Sequence, residues 1–179
     1  MVQNFPTITH RLQVQQAKNL RWHNLHQRLE AIAPQNPYAR EMLELAKDPD
    51  HGDRVDFRSL EEAYQARYLA KASIWSAPVR GPKGSDFASQ GQAWDLKTET
   101  SWPITVNAGY SDERMVAKIE SKLSRGINVA VDQTHLNQED RQKLGDLIAS
   151  QSKWVGKVMV FHRRATQEDC ERWKAALSA

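Results

Sequence analysis

The chain has a single cysteine, Cys170, in 179 residues. That excludes an intramolecular disulfide and a cysteine-based zinc site, so the fold holds without covalent staples and a reducing compartment is its simplest setting. Glycine and proline are scarce, at eight and seven, which rules out collagen-like and proline-rich architectures. No apolar run approaches the roughly 20 residues that a membrane span requires. Met1 to Arg11 is mixed polar around Pro6 rather than basic and then apolar, so no secretory signal is expected there, and export would require fusion to a larger carrier. Neither charge sign dominates: 25 Lys and Arg against 22 Asp and Glu give +3 and a pI near 9.0. Such a balance permits a polyanionic partner without demanding one.

What is present is enough for one real core. Hydrophobic residues make up 40% and include six Trp, which excludes global disorder and leaves room for a small helical annex. Leu12, Leu20, Leu25, Leu29 and Ile32 recur at helical spacing over residues 9–32 until Pro34 and Pro37 interrupt, and a second helix is expected over Tyr38 to Lys47. Asp48 to Asp53 is dense in turn formers, which divides a helical N-terminal segment, 1–50, from the remainder, 51–179. Ser59 then precedes a helix, Leu60 to Ser73, with Glu62 three residues later in the manner of a capping box. After a Gly and Pro loop come two short strands, Asp86 to Ala88 and Ala93 to Thr98. Beyond them the pattern predicts a strand at Ile104 to Asn107, a helix carrying Met115, Ile119 and Leu123, and a strand at Ile127 to Val131. A helix after Asn137, a strand at Trp154 to Phe161 and a last helix from Thr166 complete the chain. The alternation implies an α/β fold with a mixed central sheet flanked by helices, its later strands parallel.

The two short strands carry the chemistry. Whether their loop is Gln90-Gly91 or Ser89 to Gln92, the register is the same: Phe87 opposes Trp94, and Asp86 opposes Asp95. Phe87, Trp94 and Leu96 then face the core, while Asp86, Asp95, Lys97 and Glu99 line the other face, toward a cleft. Directly opposed carboxylates repel and call for a cation between them. Lys97 supplies one charge, and a divalent ion held by hard oxygens would supply more. A metal-binding acid and an ammonium two residues apart suit phosphodiester hydrolysis, in which a polarised phosphoryl group and an activated water meet a fixed positive charge.

An acidic helix, Asp86, the Asp95-x-Lys97 pair, then helix and strand resemble the PD-(D/E)xK nuclease superfamily over about residues 58–161. More narrowly, three segments resemble the C-terminal nuclease domains of contact-dependent growth inhibition toxins. They are Gly81-Pro82-Lys83-Gly84-Ser85-Asp86-Phe87, Gln92-Ala93-Trp94-Asp95-Leu96-Lys97-Thr98 and Ile127-Asn128-Val129-Ala130-Val131-Asp132. The resemblance implies a restriction-endonuclease-like fold, a core of helix, three-stranded meander, helix and strand, and a divalent metal, Mg²⁺ before Mn²⁺ or Zn²⁺. Asp86, Asp95 and Glu62 would be its ligands, with Glu61 the alternative to Glu62, and Lys97 the catalytic ammonium. The meander's third strand is sought after Lys97, at Trp102 to Asn107. The implied substrate is tRNA ahead of DNA, with action in the cytoplasm after delivery within a larger exported protein, and a cognate immunity protein as partner. A DNA endonuclease of restriction, repair or mobile-element type and a non-catalytic nucleic-acid-binding adaptor are the rival readings.

For nucleic-acid contact, Lys153, Lys157, Arg163 and Arg164 cluster about the last strand, with His162 among them, and Arg114, Lys118, Lys122 and Arg125 line one side of a helix. A solvated charged face explains either group equally simply. His23 and His26 alone among the six histidines have a suggestive spacing; Asp132 and His135 follow a buried strand at the carboxyl edge where α/β sheets often place ligands, and a helix-entry turn explains them as well.

Overall fold

The computed structural model describes residues 8–101 and 109–163. Helices α1 (Ile8–Ile32), α2 (Pro37–Ala46) and α3 (Phe57–Lys71) come first, followed by strands β1 (Val79–Arg80), β2 (Phe87–Ser89) and β3 (Gln92–Thr100). Then follow α4 (Asp112–Leu123), β4 (Asn128–His135), α5 (Gln138–Ser150) and β5 (Val158–Phe161). The expected strand at Ile104 to Asn107 and the expected helix from Thr166 lie outside the described residues.

The five strands form one mixed sheet in the order β1-β2-β3-β4-β5. β2 is antiparallel to both β1 and β3, whereas β4 is parallel to β3, and β5 to β4. Among the described residues the strand that completes an antiparallel meander with the hairpin is β1, which precedes Asp86. Only two residues long and set between Pro78 and Gly81, it left no periodic trace in the sequence. The hairpin turns on the two residues Gln90 and Gly91, both at positive φ (53° and 75°). That pair of left-handed residues gives the primed turn whose twist matches the strands it joins. Phe87 pairs with Trp94, as alternation requires.

Both sheet faces are covered. Phe87, Trp94, Leu96, Ala130, Met159 and Phe161 meet Leu60, Ala63, Ala66 and Leu69 of α3 in one apolar cluster. Those four helix residues recur every three residues and are fully buried, and the two alanines let the helix lie close to the strands. The same cluster takes in Trp22 and Leu29 of α1 and Ala39, Met42 and Leu45 of α2, so the N-terminal helices share the core of the sheet. Leu12, Leu20 and Ile32, expected on the buried stripe of α1, are exposed; the stripe instead runs through Trp22, Leu25 and Leu29. On the opposite face Met115, Ile119 and Leu144 from α4 and α5 pack on Val129, Val131 and Val158 around Trp154.

The start of α3 differs from the capping expectation. Asp56 is the N-cap: its carboxylate accepts from the N–H groups of Arg58 (2.8 Å) and Ser59 (3.0 Å), and the Ser59 hydroxyl accepts from Asp56 N–H (2.9 Å). Ser59 is thus the third helical residue. Glu62 lies beyond the cap and is available for other work.

Candidate functional site: carboxylates and lysines around the hairpin

Three elements bring the sequence-predicted residues together. β3 carries Asp95 and Lys97 on one face, two residues apart, and Lys97 Nζ pairs with Asp95 Oδ2. Asp86 stands one residue outside the paired part of β2. There its backbone N–H donates to Trp94 O (2.9 Å), and its carboxylate Oδ2 accepts from Leu96 N–H (2.6 Å). A side chain has replaced a main-chain acceptor at the end of the ladder, which fixes Asp86 beside β3. Glu62 of α3 accepts from Arg80 Nη1 at 3.1 Å. Arg80 also donates to Ser59 O (3.2 Å) and lies over the Phe87 ring, 4.6 Å from its centroid. It thereby ties the helix to the hairpin.

The face that carries Asp95, Lys97 and Glu99 was expected to open on a cleft. Instead α4 crosses it, and Asp95 is 1% exposed and Glu99 7%. Two lysines of α4 meet these acids: Lys118 Nζ contacts Glu99 at 2.6 Å, and Lys122 Nζ pairs with Asp95 Oδ1. Lys122 also donates to Gly84 O (2.9 Å), in the loop that leads to Asp86. Sequence reading left Lys122 among possible phosphate contacts. Its signal was the four-residue spacing of Arg114, Lys118 and Lys122 on a crossover helix that must cover the acidic face of β3. Gly84 sits at φ +85°, where a side chain would be strained, with the Arg125 guanidinium packed against its open side.

Charge is unevenly compensated here. Burial, and next the charge of Asp86, push the Glu62 carboxyl up to about 7 despite Arg80. Burial, and next the charge of Asp95, push Asp86 up to about 6, against the pull of Leu96 N–H, Lys97 and Lys122. Raised carboxyls in a row mark a place where added positive charge would be favourable.

Glu61, the neighbour of Glu62, points elsewhere. It is buried and pairs with Lys18 (2.8 Å) and Arg163 (3.3 Å). Arg163 in turn reaches Asp132 Oδ2 (2.8 Å) and donates to His135 Nε2 (2.9 Å). Asp132 is fully buried and also accepts from Gln65 Nε2 (2.7 Å) and Thr134 N–H (2.9 Å). Arg163, expected on a nucleic-acid-binding surface, is thus held inside a network of carboxylates. Lys153 pairs with Glu120 at 2.9 Å, Lys157 is exposed, and Arg164 lies outside the described residues.

Among the described residues no three His, Cys, Asp or Glu side chains form a ready-made metal cage. The pair Asp86 and Asp95 nonetheless fits a hard cation: both donors are carboxylate oxygens, and Asp86 is pushed up by burial and next by the facing charge of Asp95. A Mg²⁺-type ion is commonly held by one or two carboxylates, with water and substrate phosphate completing the shell. No protein-family model, curated protein or solved structure matches the chain. Among the described residues no helix is long and apolar enough to cross a membrane.

Proposed function

We propose that the chain is a divalent-cation-dependent nuclease of the PD-(D/E)xK type. The observation that carries this reading is the convergence of Glu62, Asp86, Asp95 and Lys97, drawn from α3, the edge of β2 and β3, with two carboxyls raised by burial and then by a neighbouring acid, Glu62 by Asp86 and Asp86 by Asp95. The order α3, β1 to β3, α4, β4 adds support, being the helix, meander, helix and strand that the resemblance implies.

When bound, Mg²⁺ or Mn²⁺ would polarise the phosphoryl group and lower the pKa of a coordinated water. The donor set of oxygens alone speaks for these ions over Zn²⁺. Asp86 and Asp95 would hold the cation, and Arg80 orients Glu62 on the α3 side of Asp86. Lys97 donates to the phosphate oxygen that gains charge as water attacks phosphorus and the ester oxygen leaves. Glu62, with its carboxyl near 7, can exchange a proton close to neutral pH.

The substrate assigned here is RNA, and tRNA within it. The biological setting is a toxin delivered to the cytoplasm and checked by a cognate immunity protein. One observation favours the adaptor reading instead: both oxygens of Asp95 are taken by ammonium groups, which is how a purely structural charge cluster is built. Incubation of purified protein with tRNA and with plasmid DNA, with Mg²⁺ and with EDTA, separates the readings. Mg²⁺-dependent tRNA scission is expected; cutting of plasmid alone moves the assignment to a DNA endonuclease, and no cutting of either to the adaptor. Expression of the chain alone should stop bacterial growth, while the Lys97→Ala form should be harmless; unaffected growth with active protein would remove the toxin setting.

A further inference from the structure

Asp95 carries one negative charge, is almost wholly buried, and has an ammonium on each oxygen. A cation that binds Asp86 and Asp95 therefore competes with two lysines for the single charge of Asp95. Lys97 sits on the same strand, two residues away. Lys122 arrives from α4 and has a second anchor, Gly84 O at 2.9 Å, which would keep it in place after it releases Asp95. An ammonium has three N–H donors. With two spent on Asp95 and Gly84, the third is left on a side chain that is 20% exposed. Arg125, three residues on, lies against Gly84 and makes no ion pair with a carboxylate among the described residues. The rim of the site beside Asp86 is accordingly cationic, and a phosphate is the ligand whose charge it complements.

We propose that Lys122 is a resident counter-ion that competes with the divalent cation for Asp95 and transfers to a substrate phosphate, so that cation and phosphodiester bind cooperatively. Without substrate, Lys122 neutralises Asp95 and opposes cation binding. When a phosphate engages Lys122 and Arg125, Asp95 Oδ1 is released to the ion. Linkage requires the effect to be reciprocal, with the ion strengthening phosphate binding by the same factor. The chain would thus hold its metal tightly only when nucleic acid is present. Lys118 and Glu99 provide an internal control one turn earlier on α4, where the same kind of pair has no facing Asp86.

This inference rests on the nuclease reading, and the test separates the two. Mg²⁺ is titrated calorimetrically into the full chain, alone and saturated with a short phosphorothioate RNA, for wild type, Lys122→Met and Lys118→Met. Lys122→Gln serves if the Met form does not fold. Wild type should bind Mg²⁺ about 5- to 100-fold more tightly with the RNA than without it. Lys122→Met should bind Mg²⁺ more tightly than wild type when alone, bind the RNA more weakly, and lose the coupling, whereas Lys118→Met should keep the wild-type Mg²⁺ affinity in the absence of RNA and the wild-type coupling. Equal Mg²⁺ affinity in wild type and the Lys122 variants overturns the inference and leaves the nuclease reading standing. Absence of Mg²⁺ and Mn²⁺ binding in every form, with and without RNA, overturns the metal-dependent reading itself and the inference with it.

Discussion

Glu61 and Glu62 are consecutive on α3, yet they enter two different kinds of polar cluster. Glu61 joins Lys18, Arg163, Asp132, Gln65 and His135, where each buried carboxylate has several partners and Asp132 alone accepts from Gln65 and Thr134 and pairs with Arg163. Glu62, paired with Arg80, faces Asp86, which in turn faces Asp95 with its Lys97 and Lys122, and two carboxyls are held well above their ordinary range. In the first cluster each carboxylate is matched by a cation and further donors of the protein itself. In the second, Glu62 pairs with Arg80 and Asp95 with two lysines, while Asp86 has no ion pair among the described residues, which leaves a place for an exogenous cation. Buried charge alone does not mark function; the informative property is whether the protein has already satisfied it.

The comparison breaks most visibly through activity. Lys97→Met should reduce cleavage by about 10³-fold, the scale of removing a fixed donor at a developing charge. Its cost in stability should be about 1 kcal/mol or less, because Lys122 remains beside Asp95 and the Lys97 side chain is partly exposed. Equal loss of folding and of activity on a denaturant titration and a cleavage assay would erase the distinction between the clusters.

Arg163→Met should do the reverse. It strips Asp132 and Glu61 of their guanidinium in a buried setting, and about 3–5 kcal/mol of stability should be lost. Chemical denaturation reports that loss, and the fraction still folded should cleave at the wild-type rate.

A smaller effect sharpens the comparison through pH. Glu62 and Asp86 have folded-state pKa values of about 7 and 6, above their ordinary 4.5 and 3.8. The folded chain therefore holds these protons more firmly than the unfolded chain. The stability they contribute is complete below about pH 4 and is lost as pH rises through 6 and 7. Glu62→Gln should remove part of that slope and gain on wild type between pH 5 and pH 8 in urea midpoints; a parallel pH dependence of the two proteins would contradict the assignment. The smallest expected change is Asp56→Ala, which removes the cap that starts α3 before Glu62 and should cost about 0.5–2 kcal/mol.

Local rules made the hairpin legible. Gln90-Gly91 and strict alternation were enough to pair Phe87 with Trp94 and to set Asp86 beside Asp95. The mixed sheet and its helices likewise followed from alternating periods. The cap of α3 was misread because Ser59 and Asp56 can both initiate a helix, and the choice turned on which residues needed burial. β1 was invisible because two residues have no period. The hardest features were long-range: Lys122 meets Asp95 across 27 positions, and Arg163 reaches Glu61 across 102. No local pattern separates a lysine that solvates a surface from one that lies over a buried carboxylate, since the difference is made by the crossover that lays α4 on β3.

The most direct test of the central claim is the initial rate of tRNA cleavage by wild type, Lys97→Met and Glu61→Gln, measured at equal folded concentration with Mg²⁺ and with EDTA. Wild type and Glu61→Gln should cut at similar, Mg²⁺-dependent rates, and Lys97→Met should fall to the level seen with EDTA. Cleavage that persists in Lys97→Met, or that is lost in folded Glu61→Gln while Lys97→Met stays active, would contradict the placement of the active site at the hairpin.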